Sequence, residues 1–272
     1  MFALALAVLP ALSAQGTRFR PAPVYVSGGK ADQAEGGRIL GTFRQAGIAG
    51  TYWLSFELRV MPRKGAERIL EGELFGTRGP AGPLTRLSLA DERWLIQSGP
   101  TPAAWTAPGG VAVRSATTVE TLQPVAGTDF SLFDLQMPFL HWADFVYEGL
   151  AKVRGRPAHQ FMLYPPADIA AARPDLSGVR VYIDTQFQAL VQVEQLGPDG
   201  KAAKSVTLID LKKIGEQWLV KSIDLRNHVS RDKTRLTFKA AALDLALPPE
   251  TFEPVQLAQP APPVPREKLQ GL

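Results

Sequence analysis

The sequence contains no cysteine. Disulfides, thiolate metal ligands and cysteine nucleophiles are excluded together, and so is an acylated cysteine at the start of a lipid-anchored chain. Stability must come from packing alone. Reaction templates are missing as well. No Gly-x-Ser-x-Gly elbow presents a serine. No His-Glu-x-x-His or His-x-x-x-His spacing sets two ligands on one helical face, and no Gly-x-x-x-x-Gly-Lys loop cradles a phosphate. Three histidines, His141, His159 and His228, are all that a histidine-based site can draw on. The expectation is no catalytic residue, no metal and no cofactor. Strong charge of one sign is absent too: the net charge is +4 over 272 residues. With no aromatics interleaved among cations, nucleic-acid binding is not expected.

Long apolar runs are confined to the start. "MFALALAVLPALSAQG" has the length of a signal-peptide core and ends in small residues. It is shorter than the ~20 apolar residues a spanning helix needs. It lacks the usual basic residues after Met1; the rival reading is an N-terminal core helix, which Pro10 argues against. The expectation is a signal peptide over residues 1–14, cleaved after Ser13 or Ala14, and export to the periplasm. No later segment is apolar enough to cross a membrane.

What is present is mostly strand. "GGKADQAEGGRILGTFRQAG" spaces Ala31, Ala34, Ile39, Leu40 and Phe43 for one helical face, ending near Gly47. The period then changes to two. In "TYWLSFELRVM", Tyr52, Leu54, Phe56, Leu58 and Val60 alternate with more polar residues, as in a strand with one apolar face. "ERILEGELFG" and "LTRLSLADERWLIQSG" continue the pattern through short turns. Strands resume at "VYEGLAKVRG" and "PAHQFMLYPP". Five more follow: "VRVYID", "ALVQVEQL", "SVTLIDL", "QWLVKSIDL" and "TRLTFKAAALDL". Short connections without helical crossovers require antiparallel pairing. The expected fold is mainly β: a strongly curved antiparallel sheet of about eleven strands, an incomplete barrel, with helices over its apolar concave face. The expected domain is residues 25–255, followed by a proline-rich, disordered tail over 256–272.

Two groups stand out chemically. The turn "RNHVSRDKTR" gathers Arg226, His228, Arg231, Lys233 and Arg235. It is either a solvated loop or an electropositive patch for anionic headgroups or an acidic partner. The stretch "GTDFSLFDLQMPFLHW" sets Asp129 and Asp134 five residues apart. That spacing does not put both on one helical face. Either Asp129 caps a helix starting at Phe130, or Ser131 does, with Asp134 completing a Ser-x-x-Asp capping box.

The same stretch resembles the G-T-D-F-x-x-x-D-L segment of LolA-like outer membrane lipoprotein-sorting proteins. "YEGLAKVRGRPAHQFMLYPP" is similar to the hairpin that follows it there, and the meander from Val179 to "LALPPETFEP" resembles that family's C-terminal half. The resemblance covers roughly residues 30–255, in the broad uncharacterised branch of the family. It implies a half-barrel with helices capping an apolar cavity. It also implies a non-catalytic, monomeric periplasmic carrier of an acyl chain from a lipoprotein or lipid. Such carriers receive cargo from an inner-membrane transporter and pass it to an outer-membrane acceptor. A sensor or protein-interaction module on the same fold is the alternative, ahead of an exported hydrolase. On the carrier reading, Leu54, Phe56, Leu58, Leu70, Leu74, Leu87 and Ile96 are expected to line the cavity, unless they are ordinary core. Arg78 and Arg86 are candidates for the family's cavity-mouth arginine.

Overall fold

The computed structural model describes residues 19–25, 31–110 and 112–272. The expected signal peptide, residues 1–14, lies outside them. Helix α1 (Gln33–Gln45) leads into strands β1 (Tyr52–Met61), β2 (Arg68–Gly79), β3 (Gly82–Leu89), β4 (Glu92–Gln97), β5 (Ala103–Thr106) and β6 (Arg114–Ser115). Two short helices follow, α2 (Thr118–Leu122) and α3 (Leu132–Gln136), then β7 (Phe145–Val153) and β8 (Arg156–Leu163). After α4 (Ala167–Ala172) come β9 (Gly178–Asp184), β10 (Leu190–Leu196), β11 (Ala202–Ile214), β12 (Gln217–Asn227), β13 (Lys233–Ala242) and β14 (Gln270–Gly271). The eleven strands expected from the sequence are all here. The other three, β5, β6 and β14, are short.

All the pairings are antiparallel, in one open sheet ordered β6-β5-β4-β3-β2-β1-β13-β12-β11-β10-β9-β8-β7. This order dictates the rest of the architecture. The chain leaves the sheet at one edge, after β6, and re-enters at the opposite edge, at β7. Residues 116–144 must therefore travel across the sheet, and they cross its apolar face. There they bury Phe130, Leu132, Phe133, Phe139 and Trp142 against the strands. Phe133, Phe139 and Trp142 form a cluster with ring centroids 5.8 to 6.3 Å apart.

Polar contacts fasten this crossing segment. Ser131 caps α3 and Asp134 completes the capping box. The Asp134 carboxylate, buried, also reaches beyond its own helix. Its Oδ2 accepts from the Ser131 amide (2.8 Å), the Ser131 hydroxyl (2.7 Å) and Lys204 Nζ (2.8 Å). Its Oδ1 accepts from Gln195 Nε2 at 2.5 Å. One carboxylate thus ties α3 to β10 and β11. Asp129 makes a separate attachment, accepting from Thr234 Oγ1 of β13 at 2.8 Å. Gln136 Nε2 donates to the carbonyls of Gln97 and Ala103, stitching the far end of α3 to β4 and β5.

Helix α1 covers the β7 edge. Its Asp32 cap accepts from the amides of Ala34 and Glu35. Gln33 accepts the Tyr147 amide at 2.8 Å and donates to the Tyr147 carbonyl at 2.8 Å, so one side chain satisfies an edge-strand residue. Close approach is possible because residue 36 is glycine: a Cβ there would overlap Tyr147. Leu40 is fully buried and Ile39 and Phe43 partly so, while Ala34, expected on the apolar face, is exposed.

The tail departs from expectation. Residues 246–272 are docked on the opposite face of the sheet, where Leu257 packs with Leu95 and Ala107. The Leu272 amide donates to the Lys239 carbonyl at 2.9 Å, and β14 pairs with β13. Proline keeps this segment from forming regular structure, but its carbonyls remain free to accept. Arg86 and Arg93 of the sheet donate to three of them, on Thr251, Gln259 and Ala258.

Two stability tests follow. Gly41→Ala, where an added Cβ meets nothing within 4 Å, should stabilise by about 0.5–1 kcal/mol. Gly36→Ala should destabilise despite the same gain in helix propensity; equal effects in denaturant unfolding would contradict the docked helix. Asp134→Ala should cost about 3 kcal/mol, because it breaks a buried pair and a cap. Replacing both partners, as Asp134→Leu with Lys204→Met, should recover part of that loss. A cost below about 1 kcal/mol for the single substitution would show that Asp134 is not a fastener.

Candidate functional site

Between the apolar face of the sheet and the crossing segment lies a partly open apolar cavity of about 140 Å³. Its floor comes from alternate residues of neighbouring strands: Phe56 and Leu58 of β1, Leu74 of β2, Thr85, Leu87 and Leu89 of β3, Ile96 of β4 and Leu236 of β13. Its roof is the crossing segment, through Val125, Thr128, Phe130 and Leu135. Two threonines are the polar exceptions. Room for the Phe56 ring exists because residue 72 opposite it is glycine, where a Cβ would collide with the ring.

The roof has a firm side and a looser one. Near Asp134 it is held by the buried contacts above. At Pro124–Ser131 it is a tight loop, closed by the Val125 amide donating to the Phe130 carbonyl at 2.8 Å. Ala126 and Gly127 have φ of 47° and 63°, in the left-handed region. Asp129 within this loop is held to β13 by Thr234 and to β11 by Lys204, whereas the Ala126–Gly127 tip is attached to the strands by more exposed contacts. Glu92 accepts the Ala126 amide at 2.7 Å, and Arg68 donates to the Gly127 carbonyl.

Of the residues expected from the sequence, Phe56, Leu58, Leu74, Leu87 and Ile96 line this cavity. Leu70 packs against the main core without lining it. Leu54 belongs to a separate cluster with Ile214, Leu219 and Ala241, toward the other end of β1. Neither arginine stands at the cavity mouth. Arg86 lies between Thr85 and Leu87, so strand alternation turns it to the opposite face. There it is buried and holds the tail. Arg78 is exposed four residues beyond Leu74, donating to the Ala46 carbonyl after α1 at 2.8 Å. Thr85, Leu89, Leu236 and the four roof residues were not among those expected. For the roof, Phe130 and Leu135, flanking the Ser131–Asp134 box, are the available signal.

Several other titratable groups make local contacts. Burial, with Arg44 and Arg78 nearby, holds the His141 imidazole below its usual value. Burial likewise lowers His159, although Glu35 opposes it, and raises Tyr147. Their Tyr147 Oη–His159 Nδ1 contact of 2.8 Å therefore joins two neutral groups at neutral pH. His228 Nε2 lies 2.9 Å from Ser205 Oγ on the surface, but among the described residues no carboxylate orients it. On the outer face Glu148, fully buried, accepts from Gln160, Arg180 and the Val24 amide. Nearby, burial and then Glu194 push the Tyr182 phenol up to about 12. Among the described residues no group of three metal-ligating side chains gathers. No helix among them is long and apolar enough to cross a membrane.

Three solved structures share this architecture. An outer membrane lipoprotein-sorting protein domain from Vibrio parahaemolyticus is 15% identical; the match covers 83% of this chain and 97% of that one, with a TM-score of 0.71. A DUF1329 family protein from Desulfovibrio piger is 14% identical over 84% of this chain and 100% of the other, also at 0.71. A LolA superfamily protein from Nitrosomonas europaea is 12% identical over 79% and 96%, at 0.59. No curated protein matches the sequence. A family model carrying only the description "Uncharacterized protein" matches residues 110–259, more than half of the chain and including the crossing segment. The chain belongs to that family, and its fold is that of the LolA-like lipoprotein-sorting proteins.

Proposed function

We propose that this protein is a non-catalytic periplasmic binder, and by extension a carrier, of an acyl chain from a lipoprotein or lipid. The observation that carries this reading is the cavity roofed by the Pro124–Ser131 loop. Its lining is apolar apart from two threonines, and its roof is attached unevenly. The shared fold with a lipoprotein-sorting domain supports it.

Magnitudes set how binding must work. A cavity of about 140 Å³ is comparable to the ~150 Å³ apolar cavities that stay dry and admit a benzene-sized guest. Burying about six methylenes there gains ~5 kcal/mol, which holds a chain only at roughly 0.1–1 mM. Burying about ten gains ~8 kcal/mol and brings affinity to about 1 μM. Useful affinity therefore requires the roof to move and admit more chain. The Ala126–Gly127 tip, attached through Glu92 and Arg68, is the part that yields, because its own contacts are few and partly exposed.

Titration with a fluorescent C16 fatty acid tests this. Saturable binding at micromolar concentration is expected. Leu87→Trp, which fills the cavity from its floor, should weaken it at least 10-fold, whereas Trp218→Ala, at an exposed position on β12, should leave it unchanged. Absence of uptake up to the solubility limit, or uptake indifferent to Leu87→Trp in a folded protein, would overturn the reading.

A further inference from the structure

Charge is distributed very unevenly. Residues 59–68 and 224–235 together carry eight Lys/Arg and three Asp/Glu, a net of +5 that exceeds the +4 of the whole chain. These two segments are neighbours. They form the β1–β2 and β12–β13 turns, at the same end of the sheet, and the Arg63 amide donates to Asp232 Oδ1 at 2.7 Å between them. Lys233 and Arg235 share the single Asp224 carboxylate at 2.7 and 2.6 Å. Arg63, Lys64, Arg226 and Arg231 are exposed and, among the described residues, form no ion pair.

An apolar side chain projects from the middle of these cations. Val229 is 80% exposed at the tip of the β12–β13 turn. The turn is built to hold it there. Asn227 Oδ1 accepts from the Val229 and Ser230 amides at 3.0 and 3.1 Å, the Asn227 amide donates to the Asp232 carbonyl at 3.0 Å, and Arg231 takes φ of 68°. Ile69, at the start of β2, is a second exposed apolar residue, 52% accessible and paired with Arg59. Cations around a projecting apolar tip match the layered chemistry of a bilayer surface, with anionic headgroups outside and hydrocarbon within.

We propose that these paired turns dock the protein on an anionic membrane surface, with Val229 reaching past the headgroups. The same surface adjoins the cavity roof, because Arg68, the first residue of β2 after that turn, donates to the Gly127 carbonyl of the roof loop. Docking would set that loop against the bilayer. The inference does not rest on the cavity being occupied, so its failure leaves the acyl-chain reading to stand or fall by itself.

Sedimentation with vesicles of phosphatidylglycerol and phosphatidylcholine, against phosphatidylcholine alone, tests it. All variants are compared with the unaltered chain, so that any contribution from residues 1–14 cancels. The expected result is binding to anionic vesicles at low salt and release at high salt. Arg63→Gln with Lys64→Gln and Arg231→Gln should weaken binding on the order of 100-fold, about 5-fold per cation. Val229→Ser should weaken it several-fold without any change in charge. Unchanged unfolding temperatures would confirm that each variant is folded. Absence of anionic-vesicle binding, or indifference to the triple substitution, overturns the proposal. Equal affinity for soluble polyglutamate together with indifference to Val229→Ser also overturns it, and assigns the patch to an acidic protein surface.

Discussion

One buried carboxylate carries a large share of the architecture. Asp134 accepts four hydrogen bonds, from Ser131, Gln195 and Lys204, and so connects a five-residue helix to two strands on the far side of the sheet. A helix of that length has no stability of its own. It persists because its start is capped, its aromatics are buried and its carboxylate is held in place. The strand order makes this attachment necessary: the sheet is open, and its two edges are joined by a chain that has to cross the apolar face. If that segment came loose, the apolar floor beneath it would meet water. Buried ion pairs contribute little net stability compared with apolar substitutes, but they favour one geometry over others. Here the geometry chosen is a roof in a single register.

Firm attachment from Asp129 to Gln136 and slighter attachment at the Ala126–Gly127 tip give the roof a polarity. Motion is expected where contacts are few and half-exposed rather than where a charge is buried. The left-handed residues Ala126 and Gly127 lie within the weaker part. The basic turns adjoin that same part through Arg68. The tip of the roof loop and the cationic turns therefore adjoin one another.

Much of this was legible in the residues. Alternation of period two marks eleven strands because each buries one face. β5, β6 and β14 escape because four or two residues are too few to show a period and are shaped by their neighbours. The capping box was legible in Ser131 and Asp134, whereas the bonds to Gln195 and Lys204 span more than sixty residues and have no local signal. Arg86 could have been placed correctly by the alternation that placed Leu87, since adjacent strand residues cannot share a face. The tail misled because proline content describes what backbone a segment cannot form, and is silent on whether Arg86 and Arg93 of the sheet will hold its carbonyls.

The central claim is that the cavity under the Pro124–Ser131 loop takes an acyl chain. Methyl NMR during titration with palmitate tests it most directly. The account predicts shifts concentrated at Leu58, Leu87, Ile96 and Leu236 on the floor and at Val125 on the roof, with Leu95 and Leu257 on the opposite face unmoved. Shifts confined to the opposite face, or none at saturating ligand, would contradict it.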